Sequence, residues 1–401
     1  MRPLLSLEDA LARVLASAVP NQPVLEVALI DALGAVLAEN IVAGVAVPGD
    51  DNSAMDGYAL RAEDSGRPLR ISQRIAAGSS GGEPLLPGTA ARIFTGATVP
   101  EGADAVVMQE DCREKNGIVT ISAPVTHGQN IRPRGQDIAP GASVLGRGRV
   151  LRPQDMGLIA SVGRAAVKVY RPLTIAILST GDELVEPGSG DLRSGQLYNS
   201  NRYTLAGLLK SLGMNVIDGG IVADDAEATA RALSDAAADA DCVITSGGVS
   251  VGEEDHVKAQ VERLGQLALW RLAIKPGKPL AFGRIGETPF IGLPGNPSSV
   301  FVTFCLVARP FLLKLQGVTE PANPYLEAAA MFAVEKPGKR QDYQRITLVE
   351  GPAGLQARRF PNQSSGVLSS VSHSNALAVI PPDTVVAVGD RVRVLLLDLL
   401  A

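Results

Sequence analysis

The sequence predicts an α/β-plus-β, multidomain protein: a central, mostly parallel α/β domain between β-rich N-terminal modules and a small C-terminal β domain. Three observations carry this. The chain has 401 residues, too many for one ordinary core and enough for several domains of ~100–200 residues each. A continuous apolar run, Leu173-Thr-Ile-Ala-Ile-Leu178, opens a regular strand and helix alternation that lasts to about residue 315. On either side lie short β-branched runs broken by Gly, Pro and Asp.

From the start of the chain, apolar residues recur at helical spacing over Leu7 to Ala18 and again over Leu29 to Leu37, so two helices are expected, separated by the turn Pro20-Asn-Gln-Pro23. Ala91 to Phe94, Ala105 to Met108 and Gly117 to Ile121 are expected strands of a β-rich module. In the central domain the expectation is a helix over Arg202 to Leu212, a strand over Asn215 to Val222 and a helix over Ala226 to Ala238. A strand over Asp241 to Thr245, a helix over Asp255 to Leu264 and strands over Leu267 to Ala273, Leu280 to Arg284 and Pro289 to Leu293 follow, before a helix over Ser298 to Leu315. Beyond the linker Glu320-Pro-Ala-Asn-Pro324, strands return, as at Ala376 to Ile380 and Arg391 to Leu397.

Composition narrows the function. A net charge of −5 without any Lys/Arg-rich run speaks against a nucleic-acid partner. No signal-peptide pattern precedes Ser6, and no apolar run looks long enough to span a bilayer, so no membrane partner is expected and the cytoplasm is the default location. Three cysteines without C-x-x-C spacing and three histidines leave little material for a zinc site, a disulfide framework or a Ser/His/Asp triad.

The chemistry is expected in loops after strands. Leu178-Ser-Thr-Gly-Asp-Glu-Leu184, Thr245-Ser-Gly-Gly-Val-Ser-Val-Gly252 and Ile291-Gly-Leu-Pro-Gly-Asn-Pro297 all follow strands of one open sheet. Such loops share a crevice, where glycines let backbone N–H groups reach an anion. One such loop would be an ordinary turn; three on one edge indicate a phosphate-bearing ligand. The pattern is neither G-x-G-x-x-G nor a Walker loop. Nearby carboxylates at Asp182, Glu183, Asp224, Asp225, Glu253, Glu254 and Asp255 suit Mg²⁺, a hard ion that bridges oxygen ligands to phosphates. On spacing alone, Asp224-Asp225 and Asp255 serve equally well as helix N-caps. Lys275-Pro-Gly-Lys-Pro279 could offer two cations to an oxyanion, or two solvated surface lysines.

Together with Asp51-Asn-Ser-Ala-Met-Asp-Gly-Tyr-Ala59, Phe94-Thr-Gly-Ala97, Gly128-Gln-Asn-Ile-Arg132 and Gly135-Gln-Asp-Ile138, these segments resemble the molybdopterin molybdenumtransferases, the MoeA-like family that includes one domain of gephyrin. The resemblance implies four parts: 1–45 with 140–172, an inserted module 46–139, a molybdopterin-binding MogA-like domain 173–318, and a β-barrel-like domain 319–401. It implies a homodimer, adenylylated molybdopterin and molybdate as substrates, Mg²⁺ as the divalent cation, and a molybdopterin adenylyltransferase as a possible partner. It also implies roles. Asp56, Glu183, Asp224 and Asp255 would be catalytic, the last three also binding metal. Thr95, Ser246, Gly247, Gly248, Ser250, Gly252, Pro294, Gly295 and Asn296 would hold the substrate, and Lys275, Lys278, Ser298, Arg345 and Ser365 the molybdate. Asp56 and Thr95 would reach the site from the partner's N-terminal module. Two rival readings are an adenylyltransferase, whose fold resembles residues 173–316 but lacks the flanking modules, and a gephyrin-like scaffold without catalysis.

Overall fold

The computed structural model describes residues 4–79, 81–248, 256–321 and 325–399. Its central sheet has six strands in the order Asn215–Val222, Thr174–Thr180, Cys242–Ser246, Thr288–Leu293, Pro279–Ile285, Gly265–Arg271. The first four run parallel and Pro279–Ile285 is antiparallel to both its neighbours, so the sheet is mostly parallel, as expected. After Thr174–Thr180 the chain crosses to Asn215–Val222 on one side and then to Cys242–Ser246 on the other, which puts the topological switch point between Thr180 and Ser246.

Helices cover both faces because the parallel strands are apolar on both. On one face Leu205, Leu208 and Leu209 of Ser200–Ser211 pack with the helix from Pro297 to Leu315. On the other, Leu233 and Ala236 of Ala226–Asp239 and Val257 and Val261 of His256–Leu264 close the core. The Pro297–Leu315 helix corrects one expectation, since by length and composition it could cross a membrane. Here the helix is almost wholly buried, and it packs in a core shared with Leu7–Ser17 and the central sheet.

The N-terminal part differs more. Leu7–Ser17 is a helix capped by Ser6, but its apolar face, Leu7, Ala10 and Val14, is buried against the central domain. The grouping of 1–45 with 140–172 therefore contains a segment that packs elsewhere. The expected second helix, Leu29 to Leu37, is absent. Val24–Ala28 pairs antiparallel with Ala166–Tyr170, one 3-10 turn spans Leu29–Asp31, and Val36 and Leu37 bridge to Val150 and Val169. The buried Leu29, Ala32, Val36 and Leu37 imitate helical spacing, but Gly34 at φ +76° leaves the helical region and turns the chain.

Residues 57–121 supply a six-stranded sheet containing Gly57–Leu60, Thr89–Ile93 and Ala105–Met108. At the C-terminal end, Gln341–Gly351, Gly354–Arg359, Leu326–Ala330, Arg391–Leu396 and Ala376–Ile380 pair in that order and close back on Gln341–Gly351, a five-stranded barrel. Ile274–Lys275 pairs in parallel with Gln341 and Asp342, tying the barrel to the central domain.

Candidate active site

A cleft of roughly 900 Å³ opens at the switch point, between the carboxyl ends of the parallel strands and the barrel. Its floor is glycine. Gly247 has φ +90°, and a Cβ there would stand 2.8 Å from the Thr180 carbonyl oxygen. Gly248 has φ +65° and no room for a side chain beside Val257. Opposite them, Asn201 donates from Nδ2 to the Gly295 carbonyl at 2.7 Å, which fixes the Pro294-Gly295-Asn296 turn. Two lining residues keep buried, unpartnered oxygens, Thr180 Oγ1 and Asn201 Oδ1, which a ligand's donors can satisfy.

Both signs of charge line the cleft: Glu183 and Asp224 follow the neighbouring strands Thr174–Thr180 and Asn215–Val222, whereas Lys275, Lys278 and Arg340 lie by the pairing of Ile274–Lys275 with the barrel. Lys275 Nζ lies 3.3 Å from Asp342 Oδ2, whereas Lys278 has no ion-pair partner among the described residues. Arg340 is anchored through Nη1 to the Ile274 carbonyl at 3.0 Å. The ambiguity between Asp224 and Asp225 is resolved by geometry. Asp225 caps Ala226–Asp239, its Oδ1 accepting from the Glu227 and Ala228 amides at 2.9 Å each, and those bonds, Ala228's first, hold its carboxyl below the usual range. Asp224 is left facing the cleft.

Glu183, Asp224, Gly247, Gly248, Pro294, Gly295, Asn296, Lys275, Lys278 and Ser365 thus all line one cleft. Ser250, Gly252 and Asp255 lie outside the described residues. Ser246 is buried in its strand beneath the floor, with Oγ 3.3 Å from Ser179 Oγ.

Two candidate molybdate ligands need correction. Ser298 is buried, and its hydroxyl donates to the Val367 carbonyl at 2.8 Å. Arg345 is fully buried and spends its guanidinium on Ser370 Oγ at 3.1 Å and on the Tyr343 and Ser364 carbonyls at 3.2 Å. Both hold the Ser364 to Ser370 segment in place; neither is open to the cleft. Asp56 and Thr95 lie on the N-terminal sheet, away from this cleft, where Thr95 donates from both N and Oγ1 to Asp56 Oδ1 at 2.8 Å. Those bonds hold the Asp56 carboxyl below its ordinary range, the Thr95 amide contributing most. Asn199, Asn201 and Arg340 were missed by sequence reasoning. The polar run Asn199-Ser-Asn201 at the start of a helix was the available signal for the first two, and for Arg340 it was its place at the head of Arg340-Gln-Asp-Tyr-Gln-Arg345, a segment that resembles the family's C-terminal pattern.

Models of known families match this arrangement in sequence order. Residues 5–163 match the MoeA N-terminal region (domain I and II), 176–314 a probable molybdopterin binding domain, and 327–397 the MoeA C-terminal region (domain IV). A molybdopterin molybdenumtransferase of Haemophilus influenzae is 42% identical over 357 residues, 87% of this chain and 88% of its own. The chain belongs to the MoeA, or molybdopterin molybdenumtransferase, family. Another member, from Nostoc, is 38% identical over 381 residues, covering 91% of this chain and 87% of its own. A crystal structure of the molybdopterin biosynthesis MoeA protein of Pyrococcus horikoshii aligns over 98% of this chain and 100% of that one, with TM-score 0.86 and 30% identity. In MoeA terms, the cleft joins the probable molybdopterin binding domain to domain IV, because Arg340 and Gln363 to Ser365 come from the matched C-terminal region.

Proposed function

We propose that this chain inserts molybdate into adenylylated molybdopterin, with divalent-cation-dependent cleavage of the phosphoanhydride and release of AMP. The observation that carries the reading is the juxtaposition in one cleft of a glycine floor, two carboxylates and three cations. Gly247, Gly248 and Gly295 offer backbone at close range to a phosphate. Lys278 and Arg340, with Lys275 beside them, present donors and positive charge to a tetrahedral dianion.

Glu183 and Asp224 are hard oxygen donors and fit Mg²⁺. Two carboxylates in the cleft suit an ion held by one or two carboxylates together with substrate phosphates. When bound, such an ion neutralises charge on the phosphate oxygens as the anhydride breaks. The chain's own residues hold the substrate phosphate at the glycine floor and hold the oxyanion at the opposite wall.

The proposal extends to a homodimer in which Asp56 and Thr95 of one copy face the cleft of the other, in the cytoplasm, with a molybdopterin adenylyltransferase as the supplier of substrate. The test is AMP release from adenylylated molybdopterin by the purified protein, with and without molybdate and Mg²⁺. Release that needs both, with molybdenum retained in the product, supports the reading; tight binding without release overturns it.

A further inference from the structure

On the N-terminal sheet, the parallel strands Leu69–Ile75 and Thr89–Ile93 bring Arg74 directly opposite Arg92. Like charges in that position repel. Both guanidinium groups nevertheless converge on one ring, 4.7 and 4.8 Å from the centroid of Phe94, and Arg92 also lies 5.0 Å over Tyr58. Arg92 is further fixed by Nη1 to the Gly57 carbonyl at 3.0 Å and Nη2 to Gln109 Oε1 at 2.6 Å. Neither arginine makes an ion pair among the described residues, and the nearby Glu114 carboxylate is taken by the Tyr58 hydroxyl at 2.6 Å. Stacking orients a guanidinium by its face and leaves its N–H edge, the edge that matches a phosphate, to other partners: that of Arg74 carries no protein hydrogen bond among the described residues, and Arg92 keeps the N–H groups not spent on Gly57 and Gln109. Thr95, the residue after Phe94, carries both hydrogen bonds to Asp56, so the arginine pair and the Asp56–Thr95 couple share one tip of the module.

We propose that Arg74 and Arg92, oriented by Phe94, form a phosphate-binding subsite on the N-terminal module that takes a phosphate of the adenylylated substrate held in the cleft of a second copy. The inference rests on the reading given under Proposed function and adds to it a substrate contact on the opposing module. Arg74 is the arginine to change, since it is exposed and its contact is with Phe94 alone, whereas Arg92 also braces the backbone.

The test is the rate of AMP release against substrate concentration for the wild type, Arg74→Gln, Arg74→Lys and Arg70→Gln, the last an exposed arginine on the same strand. Arg74→Gln is expected to raise KM at least about tenfold while kcat changes less than about threefold, the pattern of a lost ground-state contact. Arg74→Lys should fall between, keeping the charge but losing the fork. Arg70→Gln should keep the wild-type KM. An unchanged KM in Arg74→Gln, or an equal rise in Arg70→Gln, overturns the subsite and leaves the molybdenum-insertion reading standing. If the wild type releases no AMP, that reading fails instead, and titration with inorganic pyrophosphate decides the subsite: weaker binding by Arg74→Gln retains it, equal binding overturns it.

Discussion

The ammonium of Lys275 lies 3.3 Å from Oδ2 of Asp342, across the parallel pairing that joins the central domain to the C-terminal barrel. The carboxylate also accepts from Gln344 at 3.1 Å, while its Oδ1 is buried without a partner. Lys275 is thereby partly neutralised before any anion arrives, and an incoming dianion must compete with Asp342 for it.

Asp342→Asn is therefore expected to tighten binding of molybdate and tungstate by about two- to tenfold, since the competing charge is removed and the pair is only partly desolvated. Folding stability should change by less than about 1 kcal/mol, because the Lys275 side chain is 51% exposed and solvent screens the pair. Isothermal titration with each oxyanion checks this. Unchanged or weaker affinity would mean that Asp342 positions Lys275 and does not compete for it.

Arg345 and Arg340 lie five residues apart and are expected to fail differently. Arg345→Ala removes a fully buried side chain and strands the Tyr343 and Ser364 carbonyls and Ser370 Oγ. Lost packing and unsatisfied acceptors together are expected to cost about 3 kcal/mol, measured by urea denaturation. Arg340→Ala should cost only about 1 kcal/mol in stability, since the half-buried side chain gives up one hydrogen bond, to the Ile274 carbonyl, and raise the Kd for molybdate. A stable Arg345→Ala protein that had lost molybdate binding would restore Arg345 as a ligand.

The central domain was legible because the burial of parallel strands on both faces leaves an unmistakable apolar run, and because loops after parallel strands have no choice but to share an edge. Leu173 to Leu178 became Thr174–Thr180, and the loops holding Glu183, Gly247 and Gly295 met in one cleft. What sequence did not carry was long-range pairing. Lys275 looked free of acidic neighbours because Asp342 is 67 positions away. Arg345 and Ser298 matched a family pattern for molybdate ligands, yet burial, invisible in a motif, turned both into braces of a loop. Leu29 to Leu37 had helical spacing by coincidence, and pairing with distant residues, Val150 and Val169, decided otherwise.

Cys112 is half-buried, and its thiol is pushed up to about 11, by burial first and then by Asp111. Alkylation by iodoacetamide requires the thiolate. Cys112 is accordingly expected to react slowly at pH 8 relative to a free thiol, with a rate still rising above pH 10. A profile levelling off near pH 9 in the native protein would show that the thiol is not perturbed. The fully buried Cys242 and Cys305, both raised by burial, should remain unmodified until the protein unfolds.

Asp224 and Asp225 are adjacent, identical in type and different in use, so the pair makes an internal control. Asp225 is held below the usual carboxylate range by the Ala228 and Glu227 amides, so its charged form stabilises the fold above the unfolded-state pKa and that contribution disappears as pH falls through the lower, folded value. Asp225→Asn keeps a capping acceptor and loses the charge at the helix N-terminus. It is expected to lower Tm modestly at neutral pH, with the difference from wild type vanishing in acid, and to leave AMP release intact. Asp224→Asn should raise the Mg²⁺ concentration for half-maximal AMP release by at least about tenfold. Were Asp225→Asn to raise the Mg²⁺ requirement and Asp224→Asn to leave it unchanged, the assignment of cap and ligand would be reversed.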